Sequence, residues 1–182
     1  MTAPGHHRTR HPGGAATRPA DRASTTIAST AAITKESPTM TTESPTMTTE
    51  TLALRPEVRA LADGPHFAAL TTLMPDGTPQ TQVVWVSADG DHLLVNSEVE
   101  RQKVRNLRRD PRATLMIWQR DNPYRYVEVR GRVTGETTGP AARAHIDELS
   151  LKYNGRPYPP QDIGSARITL RIAPGRQYVW GH

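Results

Sequence analysis

The chain has 182 residues, a net charge of +5 at neutral pH, no cysteine and a hydrophobic fraction of 35%. This length allows one domain with a sizeable core and leaves little for a second. Disulfides, thiolate nucleophiles and Cys-based zinc centres are excluded, and no apolar run approaches the about 18 residues of a spanning helix. The positive balance points to anionic partners without choosing between nucleic acid and a small anion. No apolar run follows the basic N-terminus, so a secretory signal is not expected. A cytoplasmic protein without membrane association is.

Residues 1–50 hold none of the chain's Phe, Trp or Tyr. A stretch of Thr, Ala, Ser, Pro and charge cannot bury enough apolar surface to offset its ordering entropy, and it reads as a disordered tail. His6, His7 and His11 belong to that composition and not to a metal site. Glu36-Ser37-Pro38-Thr39-Met40-Thr41-Thr42 recurs unchanged as Glu43-Ser44-Pro45-Thr46-Met47-Thr48-Thr49. Two copies do not make a repeat architecture, but they make Met40 and Met47 candidate translation starts beside Met1.

The domain is expected over 51–182. Leu52, Leu54, Val58 and Leu61 are spaced for a short helix with Pro56 in its first turn. Phe67 to Leu73 reads as a strand, Pro75-Asp76-Gly77 as a turn, and Gln80 to Val86 as a second strand. Asp89-Gly90 signals a hairpin that returns as His92 to Asn96. A basic helix follows, with Ser97 and Glu100 as a capping box and Asp110-Pro111 as its stop. Ala113–Trp118 and Tyr124–Val133 are the next strands, turning at Asp121-Asn122-Pro123, and Gly131 marks a bulge. A helix from Pro140 to Tyr153 places Ala142, Ile146, Leu149 and Tyr153 on one face. Ile168, Leu170 and Ile172 alternate in a further strand, and Pro174-Gly175 turns into a last one, Gln177–Trp180. Six or seven short strands joined by hairpins, with two or three helices, predict a mainly β fold: an antiparallel sheet or barrel with helices outside.

Three groups of residues have chemical potential. Arg101 and Lys103 open the basic helix, where a guanidinium fork and an ammonium suit phosphate oxygens; Asn106 lies near them. On an ideal helix Arg101 and Lys103 diverge by about 200°, so they converge on one ligand only if Arg101 precedes the helix. The other reading of this run is a solvated charged face. Gln80, Gln82, Val84 and Trp85 offer a wall for a flat ring, or core and solvent-facing positions of an ordinary strand. Tyr124-Arg125-Tyr126 offers stacking surfaces, or cross-strand packing in a hairpin. His66, His92 and His145 lack metal-like spacing and read as structural. No catalytic triad or phosphate-binding glycine loop occurs, so no catalytic residue is assigned.

The ordered part resembles the split β-barrel flavin and deazaflavin oxidoreductases, the pyridoxamine 5′-phosphate oxidase-like superfamily, and within it the actinobacterial branch that uses the deazaflavin coenzyme F420. The resemblance spans roughly 57–181. It is carried by Phe67-Ala68-Ala69-Leu70-Thr71-Thr72 with Asp76-Gly77-Thr78-Pro79-Gln80, by Val83-Val84-Trp85-Val86, and by Lys103-Val104-Arg105-Asn106-Leu107-Arg108-Arg109-Asp110-Pro111-Arg112. Tyr126-Val127-Glu128-Val129-Arg130-Gly131 and Lys152-Tyr153 complete it.

The resemblance implies a split β-barrel homodimer with two sites at the subunit interface. Arg101, Lys103 and Asn106, with Asn96, match the segment that holds the cofactor phosphate. Gln82, Val83, Val84 and Trp85 match the strand along the deazaflavin. Tyr124, Arg125 and Tyr126 match the segment by which the partner closes the site. The implied reaction is hydride transfer from reduced F420 to an electron-poor double bond of a small organic substrate. The proton donor is open among solvent, Tyr126 and Arg130. The oxidase's own phosphate and substrate residues are not evident, which argues against pyridoxamine phosphate as substrate. The alternatives are an FMN-binding member of the same superfamily, a non-catalytic F420 carrier, and a nucleic-acid module built on Arg101–Arg112. Against the last, no stacking aromatics interleave with the basic run, so no nucleic-acid partner is expected.

Overall fold

The computed structural model describes residues Leu52–Gly181. The chain divides into Met1–Pro45 and Thr46–His182, and the described residues all lie in the second unit. The expected disorder of the tail, the duplication with Met40 and Met47, and His6, His7 and His11 fall outside the described residues.

The elements run α1 (Pro56–Asp63), β1 (Ala68–Leu73), β2 (Pro79–Val84), β3 (Val86–Asp89), β4 (His92–Glu98), α2 (Gln102–Arg109), β5 (Arg112–Gln119), β6 (Asn122–Thr138), α3 (Gly139–Asn154) and β7 (Arg167–Trp180), with a 3₁₀ turn at Pro160–Asp162. All strands join one antiparallel sheet in the order β2-β1-β5-β6-β7-β4-β3. Laid flat, its edges would lie about 29 Å apart at ~4.8 Å per strand. Yet β2 ends at Val84 and β3 begins at Val86, a separation of at most about 7 Å. The sheet must therefore curl until its edges meet at Trp85. No ladder bonds β2 to β3, so the seam stays open, which makes a split β-barrel.

The barrel interior is filled by Leu70, Leu93, Leu115, Ile117, Leu170 and Ile172, each at most 1% exposed. Val58 and Leu61 of α1 and Val104 and Leu107 of α2 join this core. The inner face of α3 sets Ile146, Leu149 and Tyr153 against Phe67, Trp85 and Tyr158. Gly155 ends α3 in the left-handed conformation at φ 70°, which glycine adopts without a Cβ penalty.

Four local expectations are corrected. Leu52 and Leu54 precede α1 because the helix begins at Pro56, whose fixed φ suits a first turn. The second strand does not continue through Val86: Trp85 leaves the ladder, because here the chain crosses from one sheet edge to the other. Ser97 and Glu100 form no capping box. Ser97 is buried in β4 opposite Ile168, and α2 starts at Gln102 with no side-chain cap. Pro174-Gly175 is not a turn. β7 runs straight through it because the 17-residue β6 supplies a partner along its length, and proline, which has no N–H to give, is tolerated at the bulge where Gly131 faces Pro174. The bulge expected at Gly131 is present: a Cβ there would lie 2.3 Å from the Ala173 carbonyl oxygen.

Candidate functional site

The strand β4 carries Asn96, Ser97 and Glu98 to the barrel rim. There the chain turns outward through Val99 and Glu100 before α2 begins. Arg101 is the residue before that helix, extended at φ −69° and ψ 143°, and not part of its first turn. This is the condition under which Arg101 and Lys103 share a target, and both line one cavity of about 470 Å³ with Gln82, Val83, Asn96 and Arg167.

Glu98 organises the cations. It is 5% exposed and accepts hydrogen bonds from Arg101 Nε at 2.8 Å and from the Gly164 N–H at 2.8 Å. Arg101 Nη2 lies 2.8 Å from Oε2, and Arg167 Nη1 3.6 Å from Oε1. Burial alone would raise the Glu98 carboxyl; the Gly164 N–H, the Arg101 hydrogen bond and the two guanidinium charges outweigh it and hold the carboxyl below its ordinary value. Arg167 is also buried against Asn96, whose Oδ1 accepts from its Nε at 2.8 Å. Because arginine only donates, this bond fixes the amide orientation. The Asn96 Nδ2 then donates to the Ala142 carbonyl at 2.8 Å and to Thr169 Oγ1 at 3.1 Å.

Lys103 makes no ion pair among the described residues. Burial lowers its pKa first, and the neighbouring charges of Arg101 and Arg167 lower it further against the opposing pull of Glu98. Three cations thus face one carboxylate, an excess of two positive charges. An ammonium held half-buried beside two guanidiniums is unfavourable without a counter-ion. A dianion such as a phosphate group would supply one.

A second cavity of about 230 Å³ shares Val83, Asn96 and Arg167 with the first and continues into an apolar slot of Phe67, Val84, Trp85, Ile146 and Tyr158. Trp85 stacks on Tyr153 at 5.1 Å between centroids and 6° between planes, and meets Tyr158 edge-on at 6.1 Å. The Arg167 guanidinium lies 5.4 Å over the Tyr158 ring. Val83 is 65% exposed, an apolar wall open to a ligand. A polar, cationic corner therefore leads into an aromatic slot, the shape a phosphate-bearing ring compound requires, so the residues present fit a flavin-like cofactor.

Gln82, Val83, Val84, Trp85, Asn96, Arg101 and Lys103 are accordingly brought together. Asn106 is not. It is fully buried inside the barrel end, donating from Nδ2 to Thr72 Oγ1 at 3.0 Å and Gln80 Oε1 at 3.2 Å and accepting from Gln102 at 2.9 Å; its amide joins α2 to β1 and β2. Tyr124, Arg125 and Tyr126 lie at the start of β6. Arg125 and Tyr126 border a different cavity of about 300 Å³ with His66 and Trp180, and Tyr124 is 78% exposed. Sequence reasoning missed Arg167, Glu98 and Tyr158. Arg167 reads in the sequence only as a polar position alternating with Ile168, Leu170 and Ile172; its place opposite Glu98 is a fact of β4–β7 register.

Of the three expected structural histidines, His145 is buried, its Nδ1 2.9 Å from Thr169 Oγ1 and its Nε2 2.9 Å from Ser87 Oγ. Among the described residues no group of acidic and histidine side chains could hold a metal ion, and no helix is long and apolar enough to cross a membrane.

Comparison with known proteins agrees with this architecture. The family model described as pyridoxamine 5′-phosphate oxidase matches residues 54–180. A solved F420 reductase is 32% identical, with a TM-score of 0.59 over 66% of this chain and 94% of its own. A conserved hypothetical protein from Mycobacterium tuberculosis is 24% identical, with a TM-score of 0.58 over 73% of this chain and 88% of its own. General Stress Protein 26 from Bacillus anthracis is 18% identical, with a TM-score of 0.52 over 68% and 91%; the last two speak to the fold alone. The curled seven-stranded sheet with its open seam and the family match over nearly all the described residues together make this chain a member of the pyridoxamine 5′-phosphate oxidase-like split β-barrel oxidoreductases.

Proposed function

We propose that this protein is an F420-dependent reductase. It would bind the reduced deazaflavin through the Arg101–Lys103–Arg167 corner and pass a hydride to an electron-poor double bond of a small organic substrate. The observation that carries the reading is the unneutralised Lys103 beside Arg101 and Arg167, at the mouth of an aromatic slot. The 32% identity to an F420 reductase favours deazaflavin over FMN. When bound, the cofactor supplies the redox chemistry, which is why the chain needs no nucleophile or triad of its own.

The roles of the chain's residues follow from their surroundings. Arg101 and Lys103 hold the phosphate, with Glu98 keeping Arg101 in register. Arg167, fixed by Asn96, adds charge at the junction of corner and slot. Val83, Val84 and Trp85 form the wall along the ring, and Gln82 offers its amide at the edge. Asn106 supports the site from beneath by anchoring α2.

The functional unit in this reading is a homodimer. Val83 (65% exposed), Met116 (39%) and Tyr178 (47%) lie in one row across the outer face of β2, β1, β5, β6 and β7, interrupted at β6 by Glu128, which pairs with Arg130, and with Trp180 (63%) one row away. A twofold pairing over this face would cover apolar surface otherwise left to water. It would also bring a partner's Tyr124–Tyr126 segment toward the slot.

Spectroscopic titration of the purified protein with F420 and with FMN, run side by side, tests the cofactor assignment. Saturable F420 binding with weaker or absent FMN binding is expected. Tight FMN binding with none for F420 would replace the deazaflavin by the flavin. Single-turnover oxidation of bound reduced F420 by a panel of enones separates enzyme from carrier.

A further inference from the structure

A second cationic site lies on the outer face of the sheet, away from the Lys103 corner. It is a cavity of about 420 Å³ lined by Arg112, Arg130, Arg132 and Arg176, with Thr71 and Thr114 on its floor. Strand register explains the crowding. Arg112 is directly opposite Arg132 in the β5–β6 ladder, and Arg130 directly opposite Arg176 in the β6–β7 ladder. The bulge at Gly131 sits between the two pairs.

Side chains directly opposite on one face of an antiparallel pair have Cβ atoms about 5 Å apart, and like charges there destabilise the sheet. Two such pairs on adjacent rows are the reverse of what a surface arranged for stability alone would carry. Arg112 is partly neutralised by Asp110 at 2.6 Å, and Arg130 by Glu128. Arg132 and Arg176 are exposed and make no ion pair among the described residues. The cavity therefore keeps an excess of two positive charges, presented as planar forks. The two threonine hydroxyls could donate to a ligand seated between them, although Thr71 Oγ1 already lies 2.8 Å from Thr81 Oγ1.

We propose that this cavity is a binding site for a small oligoanion, a molecule with at least two phosphoryl or carboxylate groups, bridged between the Arg112–Arg132 and Arg130–Arg176 pairs. Bidentate hydrogen bonds from arginine to each anionic group relieve the cross-strand repulsion. A concave pocket with its cations in two opposed pairs suits a compact anion. Nucleic acid tracks an extended basic stripe with stacking aromatics instead. None of its lining residues belongs to the Arg101–Lys103–Arg167 corner, but Arg130 and Arg176 stand one row from Met116 and Tyr178 on the face proposed to pair the dimer, so in the dimer the site borders that interface.

The test uses the full chain at constant ionic strength, with pyrophosphate as the phosphoryl probe and citrate as the carboxylate probe. Each is titrated by calorimetry and by thermal shift against wild type, Arg132→Gln/Arg176→Gln, Arg101→Ala/Lys103→Ala, and the two combined. The expected result has three parts. At least one probe binds wild type and raises its Tm, and the stronger of the two identifies the anion class. Introduced into Arg101→Ala/Lys103→Ala, where the rim corner no longer holds an anion, Arg132→Gln/Arg176→Gln weakens binding about tenfold or more, as loss of charge-assisted hydrogen bonds requires; on its own and without anion it melts no lower than wild type, because a repulsion has been removed. The Arg101→Ala/Lys103→Ala variant keeps the response. Absence of binding by both probes, loss of the response in Arg101→Ala/Lys103→Ala alone, or a lower Tm of Arg132→Gln/Arg176→Gln without anion would each overturn the proposal. So would tight binding of a single-stranded oligonucleotide that depends on Arg132 and Arg176 while neither small anion binds.

Discussion

Arg167 reaches the cationic corner through a single amide: its Nε donates to Asn96 Oδ1 at 2.8 Å, and the other end of that amide is tied to Ala142 and Thr169. One strand residue thus aims a buried guanidinium and fastens β4 to both α3 and β7. Replacing Asn96 by Leu should leave Arg167 Nε and Thr169 without this partner, a loss of about 1–3 kcal/mol of stability. F420 affinity should fall by severalfold as Arg167 loses its fixed position. Denaturant melts and cofactor titration of the variant check both effects; unchanged affinity would show that the aim of Arg167 does not matter to the ligand.

Glu98 is the counter-charge on which the corner depends. Its carboxyl is held below its ordinary value of 4.5 in the fold, so the folded state favours the ionised form. That stabilisation is fully present above the unfolded value and is lost as pH falls through the lower folded one. Glu98→Gln should melt lower at neutral pH, because Arg167 is left buried without its anion, and should be flatter in acid over that window. If the variant still folds, its cavity is more positive and inorganic phosphate should bind it more tightly than wild type.

His145 gives a second acid-sensitive signal with an assigned cause. The imidazole sits between two hydroxyls, Nδ1 2.9 Å from Thr169 Oγ1 and Nε2 2.9 Å from Ser87 Oγ, with its tautomer setting which atom donates in each. Burial first, then the charges of Lys152 and Arg167, lower the imidazole from 6.5 to about 4. Between those values the unfolded chain takes up a proton that the folded chain refuses. Stability should therefore be complete above about 6.5 and decline toward about 4, by at most about 1.4 kcal/mol per pH unit for one proton. His145→Gln should remove this component, read as the difference in pH dependence of Tm between variant and wild type.

The exposed apolar row predicts an assembly. Sedimentation of wild type should give a dimer. Met116→Glu combined with Tyr178→Glu should shift it to monomer while leaving the circular dichroism of the barrel unchanged, since both side chains point away from the core. A wild-type monomer at micromolar concentration would refute the pairing.

Much of the barrel was legible in the sequence because its causes are local. Period-two alternation in Ile168, Leu170 and Ile172, the Asp89-Gly90 hairpin and the Pro140–Gly155 bounds of α3 need no tertiary knowledge. The features that misled are those decided by distant partners. Trp85 leaves its strand because two sheet edges meet there. Pro174-Gly175 stays extended because β6 is long enough to pair with both sides of it. Ser97 and Glu100 carry the letters of a helix cap, but β7 extends β4 past Ser97 and moves the helix start to Gln102. The site shows the same division. Arg101 and Lys103 stood out as a basic pair at a helix entrance, whereas Glu98 and Arg167, 69 positions apart in sequence, meet only through register. Asn106 looked like a ligand group because it shares the segment, and only packing reveals it turned into the barrel end.

The central claim is that a cofactor phosphate is gripped by the cations at the rim of β4 and α2. Equilibrium titration of F420 into wild type and Arg101→Ala/Lys103→Ala measures it most directly. The account predicts about 10- to 100-fold weaker binding in the variant, from the loss of charge-assisted hydrogen bonds, with the circular dichroism of the barrel unchanged. Equal affinity in the two proteins would contradict it.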